Sequence, residues 1–229
     1  MCIDRNINLY KFFDKIFTCN PIEVQFFKDK FNILHLNPGF DPEISKFIKN
    51  EKYECDISIV CTNLYCDKIF TPEVQRIKRK KLVDDLYEIR DKLKFRIYGP
   101  NNAYGLNLYQ NYPDCYVGPI SYENCPLVFS NSKINLNIHM NSYLNNGEEE
   151  YFCERIPQIL GCQGLLFCET EFKTLIPQID YILADPDNYI NQIIDIIQNN
   201  EKYNQIRKNG YEKAIKNLTW DNWAKKIIN

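Results

Sequence analysis

Apolar residues recur along this chain in two alternating rhythms: short runs of strand length, and longer stretches at helical spacing. Asp56–Thr62 (DISIVCT) reads as a buried strand. After a loop, Thr71-Pro72 supplies a cap and a first-turn proline, and Val74, Ile77, Leu82, Leu86, Ile89 and Leu93 trace one helical face to about residue 93. Phe95–Tyr98 is a second strand ended by Gly99-Pro-Asn-Asn, Tyr116–Ile120 a third, and Glu123–Phe129 a short helix. Ile134, Leu136 and Ile138 alternate with polar residues as in a strand, until an Asn-Asn-Gly turn and a Glu run break the pattern. Proline is tolerated only near a helix start, so Pro157 places the next helix N-terminus at Glu154–Pro157, with Ile156, Ile159 and Leu160 buried. Leu165–Phe167 has the continuous apolar character of a parallel strand.

The remainder follows the same alternation. Tyr181–Ala184 is a strand, Asp187–Gln198 and Lys202–Asn217 are helices, and Trp220–Ile228 carries Trp220, Trp223, Ala224, Ile227 and Ile228 at the spacing of a docked helix. Upstream, Asp14–Thr18 and Asn32–Leu36 are strands around a helix at Pro21–Lys30, and Asn37-Pro-Gly-Phe-Asp-Pro42 is a turn-rich break. Strands alternating with helices predict an α/β fold: a Rossmann-like parallel sheet flanked by helices over residues 41–229, preceded by a short α/β remnant in residues 1–40. In such sheets ligands gather beyond the carboxyl ends of the strands, which singles out Thr62, Asn63, Gly99, Pro100, Gly118, His139 and the turn at Arg155.

Composition narrows the function classes. The chain has 229 residues and a formal net charge of −2, without the basic surplus that nucleic-acid binding needs. Arg76 and Lys78–Lys81 form the one dense basic run, read most simply as a solvated helix face. Ten cysteines accompany only two histidines, with no C-x-x-C pair, so neither a zinc site nor a disulfide framework is expected. Cys55, Cys61 and Cys168 lie in or beside apolar strands, where free cysteine acts as a small hydrophobe. A reducing, cytoplasmic setting follows, and no apolar run approaches transmembrane length. There is no G-x-S-x-G, P-loop or G-x-G-x-x-G.

Asn-Ile-His at 137–139, a gap containing Gly147, R-x-x-Q at 155–158 and G-L-L-F-C-E at 164–169 together resemble the donor-binding segment of GT-B glycosyltransferases. The nearest set is the CgeB-like, spore-maturation group within the "group 1" enzymes. Three positions depart from it: Gln158 replaces Glu, Gln163 stands at a usual Gly, and Glu169 at a common Asp. The resemblance implies transfer of a sugar from a nucleoside-diphosphate sugar to a glycan, protein or lipid acceptor, with no bound metal or other cofactor. It makes residues 41–229 the donor-binding lobe and residues 1–40 the end of an N-terminal lobe plus hinge, the rest of which a partner chain could supply.

The resemblance also assigns roles. Arg155 clamps the diphosphate, its fixed donors matching phosphate oxygens. Asn137 and His139 contact the donor. Gln158 takes the place of the Glu that holds the ribose, and it retains hydrogen bonding without the charge. The loops at Gly99 and Gly118 meet the base. Arg79 matches a basic residue that reaches phosphate, against the simpler reading of a solvated face. His139 and Glu150 are weak catalytic candidates, Glu150 because it precedes Gln158 by the E-x7-E spacing of related retaining enzymes. The alternative function is a non-catalytic nucleotide-sugar-binding module, or a subunit lacking its own acceptor lobe.

Overall fold

The computed structural model describes residues 9–62, 64–65, 73–102, 105–138 and 153–228. Six short segments, β3 (Cys55–Val60), β4 (Phe95–Tyr98), β5 (Tyr116–Gly118), β6 (Ser132–Asn137), β7 (Leu166–Cys168) and β8 (Ile182–Leu183), form one parallel sheet in the order β5-β4-β3-β6-β7-β8. The chain therefore winds outward from β3 in one direction, returns to β6 beside β3, and winds outward in the other. In parallel sheets such a reversal is where ligands gather, beyond the carboxyl ends of the strands. A separate two-stranded parallel sheet is made by β1 (Ile16–Thr18) and β2 (Ile33–His35), joined by helix α1 (Pro21–Phe27) and paired so that Thr18 faces His35.

Helices cover both faces of the larger sheet, as parallel strands require. On one face, α2 (Glu73–Glu88) and α6 (Tyr189–Gln198) pack Val83, Leu86, Ile193 and Ile196 against Ile57, Ile97, Ile134 and Phe167. Leu108 of α3 (Leu108–Asn111) joins that layer. On the other face, α4 (Cys125–Asn131), α5 (Arg155–Gly161) and α7 (Asn204–Asn217) bury Phe129, Ile156, Ile159, Leu160 and Ala214 with Leu166 and Cys168. The predicted buried face of α5 is the observed one.

Two sequence expectations are corrected, for α2 and for the last helix, and β6 adds a buried polar pair. On α2, Val74 and Ile77 are 67% and 61% exposed, and the inward positions are Arg79, Val83 and Leu86. The sequence stripe changes phase between Ile77 and Leu82, and the sheet takes only its second half. In β6 the alternating polar residues are buried as well: Asn135 and Asn137 are as buried as Ile134 and Leu136. Asn135 accepts from Ser58 Oγ at 3.1 Å and donates to the Phe129 carbonyl at 3.0 Å, which satisfies its amide inside the sheet–helix layer. Helix α8 (Trp220–Ile228) docks only partly: no residue in it is buried, and Trp220 stays 40% exposed.

The turn-rich segment at 37–42 is fastened at Phe40, which is fully buried. Its N–H donates to Leu218 O at 2.9 Å, and its carbonyl accepts from Trp220 N at 3.0 Å. A Cβ at Gly161 would lie 2.3 Å from the Phe40 ring, so glycine there lets that ring sit on the α5 backbone. Trp223 of α8 reaches Phe17 of β1 at a centroid separation of 6.0 Å and so ties the smaller sheet to the larger body. Among the described residues no helix is long and apolar enough to cross a membrane.

Candidate functional site

The crevice past the carboxyl ends of β3, β4 and β5, at the start of α5, encloses about 450 Å³ and is walled by Thr62, Gly99, Arg155 and Gln158. That size is ordinary for a small-molecule cleft. Cys19, just past β1, closes it from the side of the smaller sheet.

Arg155 is the first residue of α5, a helix of only seven residues, so its aim depends on a side chain more than on a helix dipole. That side chain is Asn137, at the end of β6 and 1% exposed. The Arg155 Nε–H donates to Asn137 Oδ1 at 3.1 Å, and the Cys153 thiol donates to the same oxygen at 3.2 Å. Asn137 Nδ2 in turn meets Cys168 Sγ at 3.7 Å on the neighbouring β7. The amide is thus held on both sides and holds the guanidinium by a charge-assisted bond.

The positive charge reaches across the crevice. Burial pushes the Cys61 thiol, just past the end of β3, up to about 11, and the guanidinium of Arg155, followed by that of Arg79, pulls it back down. Cys125, at the start of α4, is likewise raised to about 11 by burial, with Arg155 opposing. Two cations therefore act on the β3 strand end. Arg79 is 2% exposed, which overturns the solvated-face reading for this residue, although Lys78, Lys80 and Lys81 around it are exposed. Its Nη2 donates to the Ile138 carbonyl at 3.4 Å, so tertiary placement against β6 draws it in.

The two glycines serve different purposes. A Cβ on Gly99 would stand 2.1 Å from the Cys61 carbonyl oxygen, so only glycine lets β4 end against β3. Gly118 has open space around its Cβ position but a φ of +121°, so it is there for its backbone conformation. Gly99 N–H donates to Gly118 O at 3.0 Å and links the two loops. Gln158 is 5% exposed, and its side chain opposes the upward push that burial gives the Tyr122 hydroxyl.

Of the predicted site residues, Thr62, Gly99, Arg155 and Gln158 share the crevice wall, with Asn137 and Arg79 supporting it and Gly118 beside Gly99. Asn63, His139 and Glu150 lie outside the described residues. Tyr122, Cys19 and Cys153 also line the crevice and were not singled out from sequence. The run of tyrosines from Tyr98 to Tyr122 was a usable signal for the first, whereas the cysteines are brought in only by the fold. No group of three His, Cys, Asp or Glu side chains is placed to hold a metal among the described residues.

Residues 76–229 match the family described as "Glycosyl transferase-like". No curated protein matches the chain at the sequence level. Among solved structures, sucrose-phosphate synthase from Thermosynechococcus elongatus superposes with a TM-score of 0.66 at 16% identity, over 93% of this chain and 56% of that one. Anabaena HepE, in complex with UDP and glucose, gives 0.64 at 11% identity over 99% of this chain and 65% of that one. The C-terminal domain of a group 1 glycosyl transferase (LpcC) from Francisella tularensis gives 0.56 at 10% identity, over 79% of this chain and 99% of that domain. The chain thus spans less than two thirds of the first two structures and almost the whole of an isolated C-terminal domain. It belongs to the glycosyl transferase-like family, with the Rossmann-like fold of a GT-B C-terminal domain.

Proposed function

We propose that residues 41–229 are the donor-binding lobe of a metal-independent, CgeB-like glycosyltransferase, that residues 1–40 are the end of its acceptor lobe and hinge, and that the reaction transfers a sugar from a nucleoside-diphosphate sugar to a glycan, protein or lipid acceptor. The observation that carries this reading is Arg155, fixed on Asn137 at the topological switch point of a parallel sheet. As the bond from the sugar to the diphosphate breaks, negative charge grows on the leaving phosphate. A guanidinium already oriented there stabilises that charge without reorganising, and Arg79 adds a second positive charge from behind. The Gly99 and Gly118 loops bring bare backbone to the crevice rim, where a base can lie close, and buried Gln158 offers an amide to a ribose hydroxyl. All eight described cysteines are free, which supports a reducing, cytoplasmic setting.

HepE, similar in fold, was determined with UDP and glucose, so UDP-glucose is the first donor to test. Thermal-shift measurements with UDP-, GDP- and TDP-sugars should show at least one donor raising the melting temperature in a concentration-dependent way. No stabilisation by any donor would refute the reading.

A second reading, a nucleotide-sugar-binding module or subunit without transfer activity of its own, is favoured by Gln158. A neutral amide occupies the buried position where the related enzymes carry a carboxylate. Donor binding without hydrolysis or transfer in the native chain, and turnover gained in Gln158→Glu, would mark this residue as the cause.

A further inference from the structure

A second opening, of about 560 Å³, lies at the end of β2, next to the strand whose end closes the donor crevice. Lys173 from the segment after β7, Lys213 from α7 and Lys226 from α8 converge on it, with His35, Asn37 and Trp223. No carboxylate lines it among the described residues, although the chain as a whole carries a net charge of −2. Lys213 and Lys226 form no ion pair with a described residue. Lys213 and Lys226, on separate helices and without a counter-charge among the described residues, repel one another, and a bound anion relieves that repulsion. Trp223, half-buried and wedged between Phe17 and Trp220, presents a rigid indole on the same wall. An indole face packs against the C–H face of a sugar ring, and ammonium groups bind phosphate as point charges.

We propose that this basic groove binds a phosphorylated saccharide, with the phosphate on Lys213 and Lys226 and the sugar ring on Trp223. The volume suits one or two sugar units rather than a polymer. The site is separate from the donor crevice and stands without the donor reading.

The chain's two tryptophans, Trp220 and Trp223, are adjacent in α8, so their fluorescence reports on this groove. Titration of the full chain with glucose 6-phosphate is expected to change that fluorescence saturably. Glucose and inorganic phosphate should each bind at least about tenfold more weakly, because each keeps only one of the two contacts. The Lys213→Ala/Lys226→Ala variant should lose about tenfold or more in affinity for glucose 6-phosphate, while its response to UDP is unchanged. Lys213→Arg/Lys226→Arg keeps the charge and should retain binding, which separates lost recognition from lost folding. Arg155→Ala should leave glucose 6-phosphate binding intact. The proposal is overturned by any of four results: no saturable change, binding that survives the double alanine variant, inorganic phosphate binding as tightly as the sugar phosphate, or a single-stranded oligonucleotide binding more tightly than either. Loss of the response in Arg155→Ala would assign it to the donor crevice and equally overturn the proposal.

Discussion

The Nε of Arg155 stands 3.1 Å from Oδ1 of Asn137, so the carboxyl end of β6 dictates where the guanidinium at the start of α5 points. Because the holding group is a neutral amide, it orients the cation without neutralising it. Asn137→Asp tests this distinction. A carboxylate would still fix the side chain but would pair with its charge, so nucleotide affinity should fall roughly tenfold while the fold survives. Calorimetric titration beside circular dichroism measures both. Unchanged affinity in a folded Asp variant would mean that the charge of Arg155 is not what the nucleotide meets.

The C-terminus of α5 carries strain that one substitution should release. Gln163 sits at φ 56°, in the left-handed region, where its N–H bonds to Leu160 O and the next N–H, of Gly164, bonds to Ile159 O. This is the Schellman arrangement, whose left-handed position is most often glycine. Gln163→Gly should stabilise the protein by about 0.5–1 kcal/mol, read as a raised melting temperature. A lower melting temperature would show that the Gln side chain contributes more than the backbone loses.

At the other face of that turn the tolerance is opposite. Gly161→Ala drives a methyl into the Phe40 ring, with less than van der Waals room to move. Overpacking of this kind should cost about 1–3 kcal/mol and loosen the segment around Phe40, so proteolysis near residues 36–42 should accelerate. Unaltered stability and cleavage would mean that Phe40 is not a fixed wedge.

How far the sequence revealed this arrangement depends on which forces act locally. The apolar runs of β3, β4 and β7 and the face of α6 were legible, because buried parallel strands and amphipathic helices write their environment into composition. Arg155 and Gln158 were singled out by motif, and both line the same crevice. Arg79 was misread because an arginine within a lysine run signals solvent, and only the approach of Ile138 O from β6 makes its burial sensible. Val74 and Ile77 misled for the converse reason: their spacing is helical, but the sheet does not extend to that turn. The clasp between Asn137 and Arg155 joins residues eighteen positions apart, beyond what a periodic pattern encodes.

Alkaline stability follows from the buried thiols. Burial raises Cys61, Cys115 and Cys125 to about 11 and Cys162 to about 12. In the unfolded chain such thiols ionise near 8.5. The folded state then holds more protons than the unfolded one, so this contribution is complete below about pH 8.5 and is lost as pH climbs toward 11. Urea unfolding at a series of pH values should show stability flat below that point and falling above it. Cys162→Ala should flatten the decline, and a decline of equal steepness in that variant would remove this thiol from the account.

The central claim is tested most directly by calorimetric titration of the chain and of Arg155→Ala with UDP and GDP. The unaltered chain is expected to bind at least one of them at a single site, and the variant to bind it at least about tenfold more weakly, the loss of a charge-assisted phosphate contact. Equal affinity in the two proteins, or no binding of either nucleotide by the unaltered chain, would contradict it.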